Sequence, residues 1–366
     1  MYNPFLERTK SAISALIKHV HTSENFRTAL LDNALRCAAE TPCFDLGIGA
    51  EQAPDRVAWR VIDHCAVVTR IYAIYEQFCS EMIREHLGLL QSRIPFSQLP
   101  DEIKASYRLG ISKILEKKDG PRFGDIDLNR LVEGYHAALS DSKYTIEPRA
   151  MLMQEQNLRL PELQRYMKSC GIENMSSWIE KHRAVLAFFE TGDRLTASAE
   201  SELSEIIKYR NDAAHGSLDI SDILHVNVLV EFCEFISALC EAISERVQLS
   251  GLLLLKDKGF VEKRGKLTES LRDGTVFIGK MTGGFEIGGT VYLCGESYCV
   301  ERMVTSLQIE GQPHDRVLLE EAAELGMMFD IPAKKNVVLF RFNEAPPVPE
   351  QLVVAQMADE SPTAEV

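Results

Sequence analysis

The chain lacks the cysteine spacing of a zinc module or a disulfide framework: its nine cysteines are odd in number and include no C-x-x-C pair. The closest pairs, Cys37 with Cys43 and Cys294 with Cys299, have no companion ligands at zinc spacing. Reduced thiols in a cytosolic protein are therefore expected. No run of roughly 18 apolar residues is present, which excludes a membrane-spanning helix. Positive charge is in deficit, with 40 Lys and Arg against 54 Asp and Glu and a formal net charge of −14. No overall basic field draws the chain to nucleic acid or an anionic membrane, so any RNA contact must rest on a local patch. A Walker A sequence is missing, and GTPase activity is not implied. No internal repeat is found, which argues against a solenoid.

What is present is enough apolar sequence for more than one core: 366 residues, 45% hydrophobic, consistent with two or three domains. The opening stretch "MYNPFLERTKSAISALIKHV" has an amphipathic helical pattern with charges throughout, unlike a signal peptide. In "DRVAWRVIDHCAVVTRIYAIYEQFCSEMIREHLGLLQ", apolar residues from Val61 to Ile83 recur at three and four, a stripe that needs a partner helix. Pro100 is placed to start the next helix and Gly120-Pro121 to end it. Further helices are predicted in "DIDLNRLVEGYHAALSD", in "NLRLPELQRYMKSCGI" with a glycine C-cap, and in "SSWIEKHRAVLAFFE". "TASAESELSEIIKYRNDAAHG" follows, capped by Ser198 or Ser201 and closed by Gly216. A last helix begins behind a Ser-Asp cap at Ser221 and Asp222.

Near residue 251 the texture changes to short runs alternating apolar and polar residues, rich in β-branched side chains and punctuated by Gly-Gly and Gly-Glu-Ser turns. The segment "HDRVLLEEAAELGMMFDIPAKKNVVLFRF" continues the all-β region with further strands after a short acidic turn or helix. After about 344 the chain is acidic and Pro-rich, and disorder is expected. The predicted architecture is a multidomain α and β protein, a large all-α domain followed by a small all-β barrel. Its divisions are an N-terminal helical segment (1–55), the helical domain (56–250), the barrel (251–344) and an acidic tail (345–366).

One stretch carries chemistry: "YRNDAAHG", in which Arg210 and His215 frame four residues at the end of a predicted helix. At about 100° per residue the two lie roughly 140° apart around the axis, so one copy makes a poor pair. An isologous dimer would bring each group together with its mate in one cleft. These groups suit RNA cleavage. His215 takes the proton from a 2′-hydroxyl that attacks its own adjacent phosphate, and a proton returned to the 5′-oxygen completes the step. Arg210, fork-shaped and always charged, stabilises the phosphorane. Products would be a 2′,3′-cyclic phosphate and a 5′-hydroxyl, and DNA would be inert. By spacing alone, an arginine on a solvent face and a histidine before a C-capping glycine are equally ordinary features of a helix end. His64 beside Cys65, with His182 and His225 elsewhere, offers no nucleophile, base and orienter arrangement.

The sequence resembles the HEPN superfamily, whose motif is an arginine followed directly by a polar residue and, four to six residues on, a histidine. Its surroundings are similar to the RiboL-PSP-HEPN and MAE-like subgroup over residues 56 to 245, through "YAIYEQFCSEMI", "NLRLPELQRYMKSCGI" and "LSEIIKYRNDAAHG". That resemblance implies an α-helical, usually dimeric, metal-independent endoribonuclease of the kind found in toxin–antitoxin and anti-phage systems. By position, Arg210 and His215 become the catalytic pair, Asn211 a polar helper and Asp212 structural. Glu76 becomes a supporting residue or simply a partner for Arg70. Where some relatives carry a nucleotidylated tyrosine after the histidine, this chain has Ser217. The stretch from "DGTVFIGK" to "KKNVVLF" resembles the second domain of translational GTPases, which implies contact with tRNA or the ribosome. Expected partners are RNA, a second copy of the chain, and an antitoxin or trigger protein, with no membrane and no cofactor. The alternative is a non-catalytic HEPN scaffold that binds RNA or protein through the barrel.

Overall fold

The computed structural model describes residues 2–31, 51–153, 156–191, 198–216, 224–271, 275–331 and 333–343. The acidic tail, Ser217 and the Ser221-Asp222 cap lie outside the described residues. Helices come first: α1 (Asn3–Leu31), α2 (Arg56–Gln91), α3 (Asp101–Glu116), α4 (Leu128–Leu139), α5 (Pro148–Met151), α6 (Leu160–Ser169), α7 (Met175–Lys181), α8 (Arg183–Glu190), α9 (Ala199–His215) and α10 (Val226–Asp257). Strands follow: β1 (Val261–Leu271), β2 (Val276–Glu286), β3 (Thr290–Gly295), β4 (Tyr298–Ile309), β5 (Gln312–His314), β6 (Arg316–Phe329) and β7 (Val337–Phe342). No helix among the described residues is long and apolar enough to cross a membrane.

The helical core forms around α2 and α10. Asp55 caps α2 by accepting the N–H groups of Val57 and Ala58, both at 2.9 Å, which satisfies two of the donors a helix start leaves unpaired. The stripe read from the sequence is buried from Val68 through Ile83. It packs on α10, whose buried residues run from Leu229 to Leu255; both meet α1, while α9 packs on α2 and α8 on α10. α10 is capped at His225, whose ring accepts the Asn227 N–H. α10 also runs past the change of texture at residue 251, ending at Asp257.

Two predicted elements are corrected. "SSWIEKHRAVLAFFE" is two helices, because His182 takes an extended conformation (ψ 134°) and its ring accepts the Ala184 N–H as the cap of α8. The short acidic turn or helix expected within "HDRVLLEEAAELGMMFDIPAKKNVVLFRF" is absent among the described residues, and its acidic run is part of strand β6, paired along its length with β2. Its glutamates are partly or fully exposed while Val317, Leu325, Met327 and Phe329 are buried, so tertiary pairing outweighs local helix propensity. α3 also stops at Glu116, four residues before Gly120.

The strands run in the order β3-β7-β1-β2-β6-β4, and the β3–β4 pairing closes the ring, with β5 attached outside β4. Closure needs bent strands, and register shifts interrupt β1, β2 and β4, as bulges do at barrel corners. Gly265 sits at one of them, where a Cβ would come 2.2 Å from the Lys280 carbonyl oxygen. Phe277, Met281, Phe285, Leu293 and Leu339 fill the interior. One wall of the barrel, through Phe260, Tyr292, Cys299 and Phe340, is part of the helical core.

Candidate active site

The motif occupies the last turns of α9. Ser198 begins that helix by accepting the Ser201 N–H at 3.2 Å, and Gly216 ends it in a left-handed conformation (φ 68°) that a side chain rarely tolerates. The Gly216 N–H bonds back to the carbonyls of Ala213 and Asp212, so the chain leaves the helix immediately after His215.

Arg210 is half-buried and held on three sides. Its guanidinium carbon lies 4.8 Å from the centroid of the Tyr72 ring on α2, a cation–π contact. Its Nη1 donates to Asn211 Oδ1 at 3.0 Å and, more weakly, to Asn157 Oδ1 at 3.5 Å. Asn157 Nδ2 donates to the same Asn211 oxygen at 3.3 Å. The Arg210 Nε is buried without a hydrogen-bond partner, and none of the ion pairs among the described residues involves Arg210. Among the described residues its charge is oriented by neutral partners.

The platform beneath it is fixed by backbone contacts. Tyr72 Oη accepts the Leu158 N–H at 2.8 Å and Tyr75 donates to the Leu158 carbonyl at 3.0 Å. Two tyrosines one turn apart thus pin the segment that carries Asn157. Burial pushes the Tyr72 phenol well above its ordinary range, and its hydrogen bond to the Glu76 carboxylate adds to the shift. Glu76 meets Arg210 through Tyr72, and it lines an open polar cleft of about 660 Å³ together with Gln77, Ser80, Arg122, Arg149 and Asn157.

Of the four residues singled out in the sequence, Arg210, Asn211 and Glu76 thus share one cluster. His215 is exposed at the helix end, about 7.5 Å farther along the axis and roughly 140° around it from Arg210. A single chain does not bring the two side by side. Tyr72 and Asn157 were missed as site residues. Tyr72 reads as core in the α2 stripe, although Asn157 heads a stretch that carried the family resemblance.

A second cluster joins helices to barrel. Arg183 donates to Glu245 Oε2 at 2.9 Å and Glu241 Oε1 at 2.7 Å, and its guanidinium lies 4.9 Å from the centroid of the Tyr298 ring. His182 Nε2 is 3.3 Å from Glu245, and Lys10 pairs with Glu241 at 2.6 Å. Burial alone would raise the Glu245 carboxyl, but hydrogen bonds from His182 and Arg183 more than reverse it and hold it below the usual range. The ligand atoms of His182, Glu241 and Glu245 lie within 4.8 Å of one another, and Arg183 and Lys10 already supply the counter-charge there.

Comparison with known proteins bears on the helical part. No curated protein matches the chain. Among solved structures, the C-terminal domain of a Geobacillus thermoleovorans putative U32 peptidase is similar at 13% identity, over 22% of this chain and 98% of that one, with a TM-score of 0.20. A flavohemoglobin from Malassezia yamatoensis aligns at 13% identity over 74% of this chain and 64% of that one, with a TM-score of 0.10. The RiboL-PSP-HEPN family model matches residues 47–248, a span that holds α2 through most of α10 and the whole Arg210 cluster, and the chain belongs to that family.

Proposed function

We propose that the protein is a metal-independent endoribonuclease acting as a homodimer. The observation that carries this reading is Arg210: a guanidinium held by an aromatic face and two amides, with no ion pair to a carboxylate among the described residues, suits the developing charge of a phosphorane. His215 supplies proton transfer, worth typically ~10²–10⁴-fold, and Asn211 and Glu76 support Arg210 directly and through Tyr72. The nucleophile is the substrate's own 2′-hydroxyl. A two-fold axis near the end of α9 would place His215 of one copy near Arg210 of the other. The barrel, in its likeness to the second domain of translational GTPases, would direct the nuclease to tRNA or another translation-associated RNA. Such an enzyme fits a cytoplasmic role in anti-phage defence or a toxin–antitoxin pair, restrained by a partner protein.

The test is incubation of the wild-type protein and His215→Ala with total tRNA and rRNA in EDTA, with the cleaved ends mapped. Discrete cuts bearing cyclic phosphate from the wild type alone support the reading. Equal cutting by both removes His215 from the mechanism, and binding without cutting by either favours a HEPN scaffold.

A further inference from the structure

Cys294 and Cys299 face each other directly across the β3–β4 hairpin. Gly295 pairs with Tyr298 around a two-residue turn, with Ser297 at φ 47°, so the next pair outward is a non-hydrogen-bonded one. At such positions the strands approach to about 4.5 Å between Cα atoms, within the roughly 4.4–6.8 Å that a disulfide spans. The backbone of Cys299 fits this placement, because its polar groups turn away from β3 towards α10. Its N–H donates to Glu245 Oε2 at 2.8 Å, and its carbonyl accepts from Gln248 Nε2 at 3.1 Å. The two sulfurs are 3.2 Å apart.

We propose that Cys294 and Cys299 form a redox-active dithiol that hydrogen peroxide converts to an intramolecular disulfide, with Cys294 attacking and Cys299 resolving. This proposal is independent of RNA cleavage. Cys294 retains 4% exposure and Cys299 none, so a small oxidant reaches Cys294 first. Burial, reinforced by the neighbouring Cys294, pushes the Cys299 thiol far up and disfavours the thiolate that attack on a peroxide requires. The Cys294 sulfur attacks a peroxide oxygen and the O–O bond breaks, giving a sulfenic acid and water. The Cys299 sulfur then attacks the sulfenic sulfur, the S–O bond breaks, and its hydroxyl leaves as a second water with the Cys299 proton. Two thiols are oxidised by two electrons and one peroxide is reduced. Closure draws Cys299 towards β3 and away from Gln248, whose Nε2 stands 3.7 Å from the sulfur, so the joint between helices and barrel senses the change.

The test exposes the full-length folded protein to hydrogen peroxide, quenches it, alkylates it under denaturing conditions and cleaves after Glu296, which separates the two cysteines. The expected result is a linked pair of peptides, lighter by two hydrogens than their sum, that a dithiol reductant separates. In Cys299→Ser, or Cys299→Ala if the serine variant does not fold, Cys294 should be trapped as a dimedone adduct. Cys294→Ser should give no adduct at Cys299. Free thiols at both positions, a bridge to another cysteine, or sulfinic acid on Cys294 without a bridge overturns the proposal. An adduct on Cys299 in Cys294→Ser overturns the assigned order.

Discussion

Two arginines of this molecule are mounted alike and paired differently. Arg183 lies 4.9 Å over Tyr298 and Arg210 4.8 Å over Tyr72. Arg183 is answered by two carboxylates, whereas Arg210 is answered by amide oxygens. A charge fully paired with acids holds structure and has little left for a ligand. A charge held in place by neutral partners keeps its field and loses little orientational freedom when an anion arrives. The difference identifies Arg183 as a fastening between helices and barrel, and motivates the assignment of Arg210 to phosphate.

The sharpest break of that comparison is expected in activity. If the site is built from two copies, His215→Ala and Arg210→Ala proteins, each inactive, should regain cutting when mixed and refolded, because one mixed site then holds both native groups. His215→Ala alone should lose ~10²–10⁴-fold in cleavage rate with thermal stability unchanged, since the side chain is exposed.

Stability should move on the other side. Arg183→Ala leaves Glu245, 8% exposed, without its main counter-charge. The cost should be about 2–3 kcal/mol, towards the low end for a buried pair because Arg183 keeps 30% exposure. Denaturant unfolding measures it, and cleavage per folded molecule should hold. The same joint sets a pH dependence. Glu245 is held below its unfolded value, so its contribution is present above the ordinary carboxylate range and lost as pH falls through the lowered native value. The stability gap between wild type and Glu245→Gln should therefore narrow on acidification, as pH-stepped melts would report.

A smaller effect is expected at Tyr72→Phe. It keeps the ring under Arg210 but leaves the buried Leu158 N–H without its acceptor, costing about 1–2 kcal/mol. Cleavage should fall modestly as the Asn157 segment loosens.

Much of this was legible in the sequence, for reasons that also mark where legibility ends. The α2 stripe, the caps at Ser198 and Gly216, and the alternation of the barrel strands are local signals, each set by residues a few positions apart. Arg210 and His215 stood out because their motif is local too. Asn157 lies 53 residues from Arg210 and Tyr72 on a different helix, and no spacing rule links them. What joins them is Leu158, held by both tyrosines. The acidic run in β6 reads as helix because its glutamates favour one, and only the pairing with β2 overrides that preference. His182 breaks the predicted helix because its ring caps the next one and reaches Glu245, a partner 63 positions away.

The most direct test of the central claim sets Arg210→Ala beside Arg183→Ala, with tRNA and rRNA cleavage in EDTA and thermal melting measured on each protein. The account predicts that Arg210→Ala melts close to wild type and does not cut, while Arg183→Ala melts earlier and cuts at the wild-type rate per folded molecule. Wild-type cutting by Arg210→Ala would contradict it.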